Sequence, residues 1–112
     1  MTNSQRAAQF WAVLVLAAHN RQTLTYEMVE KITGIPKYAQ TSILGIIVAY
    51  CDSRSLPKLT TIVVRELDGL PADGVDDAST VCVKHAKVFA FNWLEQKAPN
   101  PKDFEALSMP KE

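Results

Sequence analysis

The groups from which reaction chemistry could be built are few: Cys51, Cys82, His19, His85 and the acidic trio Asp73, Asp76 and Asp77. A thiol nucleophile needs a nearby base or cation, and a zinc centre needs clustered ligands. Cys51 and Cys82 sit in unrelated contexts, with no Cys-x-x-Cys or Cys/His cluster around either. Both have apolar neighbours and are expected to be buried as small hydrophobes. The aspartates lack the EF-hand spacing and its terminal glutamate. With Gly74 they read as a solvated acidic loop over Ala72–Thr80. His19 falls at a helix end, where it complements the dipole. His85, between Lys84 and Lys87, reads as a surface residue. No Gly-rich phosphate loop, Gly-x-Ser-x-Gly elbow or His-Glu-x-x-His helix occurs. The sequence therefore predicts a non-catalytic protein with no cofactor and no metal. Only Tyr26, Thr60 and His85 gathered in one cleft would argue for an enzyme.

Groups suited to a phosphate or a base edge are more plentiful: Tyr26, Lys37, Tyr38, Gln40, Thr41, Lys58 and Arg65. With Arg21, the cations among them form a candidate basic set. Against them stands the overall charge. Lys plus Arg and Asp plus Glu number twelve each, so the formal net charge is zero. A protein that holds nucleic acid through phosphate contacts is usually basic. The apolar runs Ile43–Tyr50 and Phe89–Trp93 offer a second class of partner. They either cover a protein surface or pack together as one core.

These groups need elements to position them. The 112 residues suit one domain, taken as 1–98 with a C-terminal tail over 99–112. Ser4–His19 reads as a first helix with Ser4 as its N-cap and Asn20 as its left-handed stop. Its apolar stripe is Phe10, Val13, Leu14 and Ala17, widened by Trp11, Val15 and Ala18. The apolar stretch Ala7–Ala18 is too short to span a bilayer, and no signal peptide is readable, which predicts a cytoplasmic protein with no membrane partner. Gln22–Thr25 is β-prone. Thr25 caps a helix over Tyr26–Ile32 that turns Met28, Val29 and Ile32 inward. Gly34 ends it and Pro36 starts the next, Tyr38–Ser53. Leu59–Glu66 reads as a strand, and Asp68-Gly69 as a hairpin turn with a companion strand from Leu70. Lys84–Leu94 fits a strand, and Val81–Phe91 fits a short helix; both remain open at this point. Ala98–Pro101 is a break, and Asp103–Leu107 one helical turn.

Helix, tight turn, helix and hairpin in that order predict a helix-rich α+β domain of winged helix-turn-helix type, with a β-hairpin wing. Phe10-Trp11, Thr23-Leu-Thr-Tyr26, Gly34-Ile-Pro36, Ile62-Val-Val64 and Asp68-Gly69 resemble the DNA-binding half of O6-alkylguanine alkyltransferases and alkyltransferase-like proteins. That resemblance implies a winged helix that flips a damaged guanine, with Tyr26 at the position of the tyrosine that presses on a phosphate. Thr60 stands where the nucleophilic cysteine would be, and Ala39–Ser42 lacks the arginine that fills the gap left by the base. Alkyl transfer and base extrusion are thus not implied. Leu56-Pro-Lys-Leu-Thr-Thr-Ile-Val-Val64, Asp68–Pro71, Ala49-Tyr-Cys51 and Phe89-Ala-Phe-Asn-Trp93 are also similar to small bacterial and phage proteins of no established activity. The combined expectation is a binding module, monomer or homodimer, with nucleic acid as leading partner. The alternative is a protein–protein module, such as a small phage-encoded inhibitor or accessory regulator.

Overall fold

The computed structural model describes residues 2–67, 69–70 and 78–108. Among them the order is α1 (Asn3–His19), β1 (Leu24–Thr25), α2 (Tyr26–Thr33), α3 (Lys37–Ser53), a 3₁₀ turn (Leu59–Ile62), β2 (Val63–Val64), α4 (Ala78–Ala90), a second 3₁₀ turn (Trp93–Glu95) and α5 (Pro101–Ser108). The described chain is one helix-rich domain with a small two-stranded sheet. No helix among the described residues is long and apolar enough to cross a membrane.

α1 starts two residues earlier than Ser4 as N-cap implies, with Thr2 as its N-cap. The Thr2 hydroxyl accepts from the Gln5 amide at 3.1 Å, and the Gln5 side chain accepts from the Thr2 amide at 2.9 Å. This reciprocal box satisfies two donors that no helical carbonyl reaches. Ser4 lies inside the helix and is buried. The left-handed residue after α1 is Arg21, φ 57°, rather than Asn20. The apolar stripe of α1 is buried as expected except at Val13, which is half-buried. Phe10, Leu14 and Ala18 are fully enclosed, and Trp11 meets Tyr50, Trp93 and Phe104 at centroid distances of 5.3, 5.7 and 6.4 Å.

The stretch Leu59–Glu66 departs most from expectation. Its first half is the 3₁₀ turn, in which the Thr61 hydroxyl and amide both bond the Lys58 carbonyl. Leu59, Thr60, Thr61 and Ile62 are all buried. A continuous apolar run of this kind does not separate a strand from a buried turn. Only Val63–Val64 is extended. It pairs in parallel with Leu24–Thr25, Leu24 opposite Val63 and Thr25 opposite Val64. Parallel strands need a crossover, and α2–α3 supplies it. The Gly69 amide bonds the Arg65 carbonyl, and the Arg65 amide bonds the Leu70 carbonyl. Asp68, the companion strand beyond Leu70 and the aspartates of the acidic loop lie outside the described residues. Ala78–Thr80, read as loop, begin α4.

Of the two readings of residues 81–94, the helix is the one formed. Val81 and Val88 are buried, with Lys84 and His85 half-buried between them, a helical stripe. The segment beyond residue 98 carries α5, whose Phe104 is fully buried against Trp11 and Tyr50. Asn100 and Asp103 cap α5 reciprocally, the Asn100 amide to Asp103 Oδ2 at 2.9 Å and the Asp103 amide to Asn100 Oδ1 at 3.1 Å. Pro101 follows at the first helical position, where its fixed φ suits a helix start.

Candidate nucleic-acid interface

The short Gly34–Pro36 turn joins α2 directly to α3. The Thr25 hydroxyl accepts from the Met28 amide at 3.1 Å and starts α2. Gly34 ends it at φ 77°, in the left-handed region that favours glycine. The turn is then fixed from inside. Gln40 Nε2 donates to the Tyr26 carbonyl and to the Ile35 carbonyl, both at 3.0 Å.

Gln40 is therefore not an outward contact: it is 0% exposed, and its amide protons are committed to the turn. Helical spacing carried the signal. Gln40, Ile43, Leu44, Ile47 and Tyr50 recur at intervals of three and four, and all are buried. The polar type of Gln40 masked its place on the inward stripe. Of Ile43–Tyr50, that stripe buries Ile43, Leu44, Ile47 and Tyr50 in the core, with Ile46 packed against it. In Phe89–Trp93, Trp93 is buried, its Nε1 donating to the Val88 carbonyl at 2.7 Å, and Phe89 and Phe91 pack on the core.

The other sequence candidates divide. Lys37, Tyr38 and Thr41 lie on the first two turns of α3 and are exposed, Tyr38 at 85%. Pro36 gives α3 no side-chain cap, so the amides of its first turn are not covered by one. Tyr26 is 7% exposed, with the Lys37 ammonium 5.4 Å from its ring centroid. Its ring is a platform for Lys37. Arg65 directly follows β2, as Tyr26 directly follows β1. In the Thr25–Val64 register, both leave the ladder at the same end. Lys58 and Arg65 are half-buried, and each is already engaged in an interaction. Lys37 thus lies at the Tyr26 ring, Arg65 leaves the ladder at the same end, and the exposed turn of α3 carries Tyr38 and Thr41.

Met28 and Ile32 face solvent, 45% and 57% exposed, because the short α2 buries only the Tyr26–Val29 side. His85 is half-buried, its Nε2 2.6 Å from the Thr61 carbonyl and its ring 5.9 Å from that of Phe89. Cys82 is exposed, because the buried stripe of α4 runs through its neighbour Val81. Cys51 is buried as expected, and burial pushes its thiol up to about 11. The nearby Asp52 charge adds to this rise, and a backbone hydrogen bond from Leu59 offsets part of it. No metal-binding group of three His, Cys, Asp or Glu side chains occurs among the described residues. Two clefts are described. One is apolar, between Trp11, Leu16, Trp93 and Leu94. The other is polar, at the C-terminal end of α3. Neither is lined by Tyr26, Thr60 or His85.

Comparison with protein-family models, with curated proteins and with solved structures finds no match to the chain. The functional reading rests on this geometry.

Proposed function

We propose that the protein is a non-catalytic nucleic-acid-binding module of winged-helix type, with α3 as the helix that enters a groove. One observation carries this reading: the uncapped first turns of α3 present Lys37, Tyr38 and Thr41 to solvent. The N-terminal residues of a recognition helix are those that meet base edges. Free amides at a helix N-terminus suit a phosphate. Lys37 over Tyr26, and Arg65 at the same end of the ladder, supply phosphate contacts beside it. In this reading the charge neutrality of the whole chain sets a modest affinity, and the local cations set where binding occurs. The test is duplex-DNA binding across a salt series. The expected result is a negative slope of affinity with salt that Lys37→Ala makes shallower. Absence of binding at low salt would refute the reading.

A second reading, a protein-binding module, draws on exposed apolar side chains. Met28 and Ile32 stand one turn apart on α2, and Leu16 and Leu94 flank the apolar cleft, 59% and 58% exposed. Recovery of one partner from native cells that survives nuclease treatment would favour it over nucleic acid.

A further inference from the structure

We propose that the cleft between the C-terminal end of α3 and the Gln96–Asp103 segment binds a small organic oxyanion, a carboxylate or phosphate carried on an apolar body. The cleft has a volume of about 380 Å³, within the range of small-molecule sites. Arg54 and Lys97 both line it. Among the described residues neither cation has an ion-pair partner. Arg54 is held in place. Its guanidinium lies 5.1 Å from the centroid of the Tyr50 ring, and that ring is fixed by Trp11 and Phe104, each at 5.3 Å. A planar fork held against an aromatic face is prepared for two parallel hydrogen bonds to one oxyanion.

The opposing charges are accounted for. Asp103 is the one acidic residue of the lining, and its Oδ2 accepts from the Asn100 amide at 2.9 Å. It is thereby turned to the start of its own helix, whose dipole adds positive potential at the cleft. The last carbonyls of α3 would repel an anion. Tyr50 and Cys51 are partly answered, because their carbonyls accept from the Arg54 and Leu56 amides. Two cations against one engaged carboxylate leave the cleft positive in a chain of zero formal net charge. Leu56 and Pro99 form an apolar wall for the body of the ligand. The site stands at the far end of α3 from Lys37, about 25 Å along its 17 residues, and so does not depend on the nucleic-acid reading.

The experiment is a titration of the full ¹⁵N-labelled chain with benzoate, with phenyl phosphate and with neutral benzyl alcohol. It is read on the Gln96, Lys97 and Asn100 amides and on the Arg54 side-chain Nε–H. We expect saturable shifts with benzoate or phenyl phosphate, the stronger of the two identifying carboxylate or phosphate as the preferred group. Affinity should fall tenfold or more in Arg54→Gln and in Lys97→Gln, with unchanged far-UV circular dichroism. The exposed Lys97 keeps the test valid should Arg54→Gln disturb the fold. The proposal is overturned if neither oxyanion saturates by about 10 mM, beyond the weak end of specific affinity. It is equally overturned if benzyl alcohol binds as tightly as benzoate, or if both variants bind as the parent does.

Discussion

The Gln40 side-chain amide donates to the carbonyl of Tyr26 across the turn that joins α2 to α3, at 3.0 Å, in a site closed to solvent. The same nitrogen serves Ile35, and its partner atom Oε1 has no hydrogen bond. The two helices are thus joined by a polar clamp inside an apolar core. Gln40→Ala removes both donations at once. Each such loss costs about 1–3 kcal/mol, so the variant should be less stable by roughly 2–4 kcal/mol in urea unfolding. Gln40→Glu should be at least as harmful, because it places a carboxylate against two carbonyl oxygens. A loss below the error of the extrapolation in both variants would show that the clamp contributes nothing.

The nucleic-acid reading makes separable claims about neighbouring residues. Tyr38→Ala should weaken DNA binding about tenfold, taking a hydroxyl hydrogen bond to a charged phosphate as worth roughly 1.5–3 kcal/mol. Its stability should stay within about 0.5 kcal/mol of the parent, as expected for an exposed site. Lys37→Ala should lower the salt slope by about one unit. Fluorescence anisotropy on one labelled duplex at several salt concentrations reads both. Equal binding by the parent and both variants would remove α3 from the interface.

The two cysteines should behave as opposites. Cys82 is exposed and Cys51 is enclosed, so a thiol reagent in native buffer should modify one equivalent at once. The second should react only on unfolding. A rapid count of two in native buffer would contradict the burial of Cys51.

Cys51 also sets a pH window. Its folded pKa of about 11 lies above the ordinary 9.0. The native state therefore keeps a proton that the unfolded chain releases, and this stabilisation is complete below pH 9.0. It is lost as pH rises from there through about 11. Across that window the parent should lose roughly 2–3 kcal/mol relative to Cys51→Ala. Parallel stability curves for the two proteins between pH 8 and about 11 would show that the thiol does not titrate there.

α5 is an integral part of the core. Phe104→Ala should destabilise by about 3–5 kcal/mol, the cost of truncating an enclosed aromatic, with a matching change in tryptophan fluorescence through Trp11. A stability change under about 1 kcal/mol would mean that α5 rests on the domain without supporting it.

Much of this architecture is legible from local chemistry. Thr25 and Gly34 bound α2 because a hydroxyl before a helix and a glycine after it each solve a local hydrogen-bonding or steric problem. The stripe of α1 is legible because its apolar residues are dense. Legibility fails where burial is decided by distant chain. Leu59–Ile62 has the composition of a strand, yet is coiled into a turn with α1, α3 and α4 packed on it. α5 is called into the core by Trp11 and Tyr50, which no pattern in residues 99–108 announces. Of the candidate contacts, those at the start of α3 are readable from the turn before them. Gln40 is readable only once its side chain is weighed by position and not by polarity.

The pairing of Leu24–Thr25 with Val63–Val64 has a consequence for the order of folding. The ladder is two residues long on each side, yet it joins points separated by roughly 40 residues of chain, a closure costing about 3 kcal/mol in a flexible loop. So short a ladder cannot nucleate that encounter. The helices between must first shorten the path, and α1 must gather them. By this loop-closure argument the ladder closes after the helices have packed, so its register is a late event in assembly.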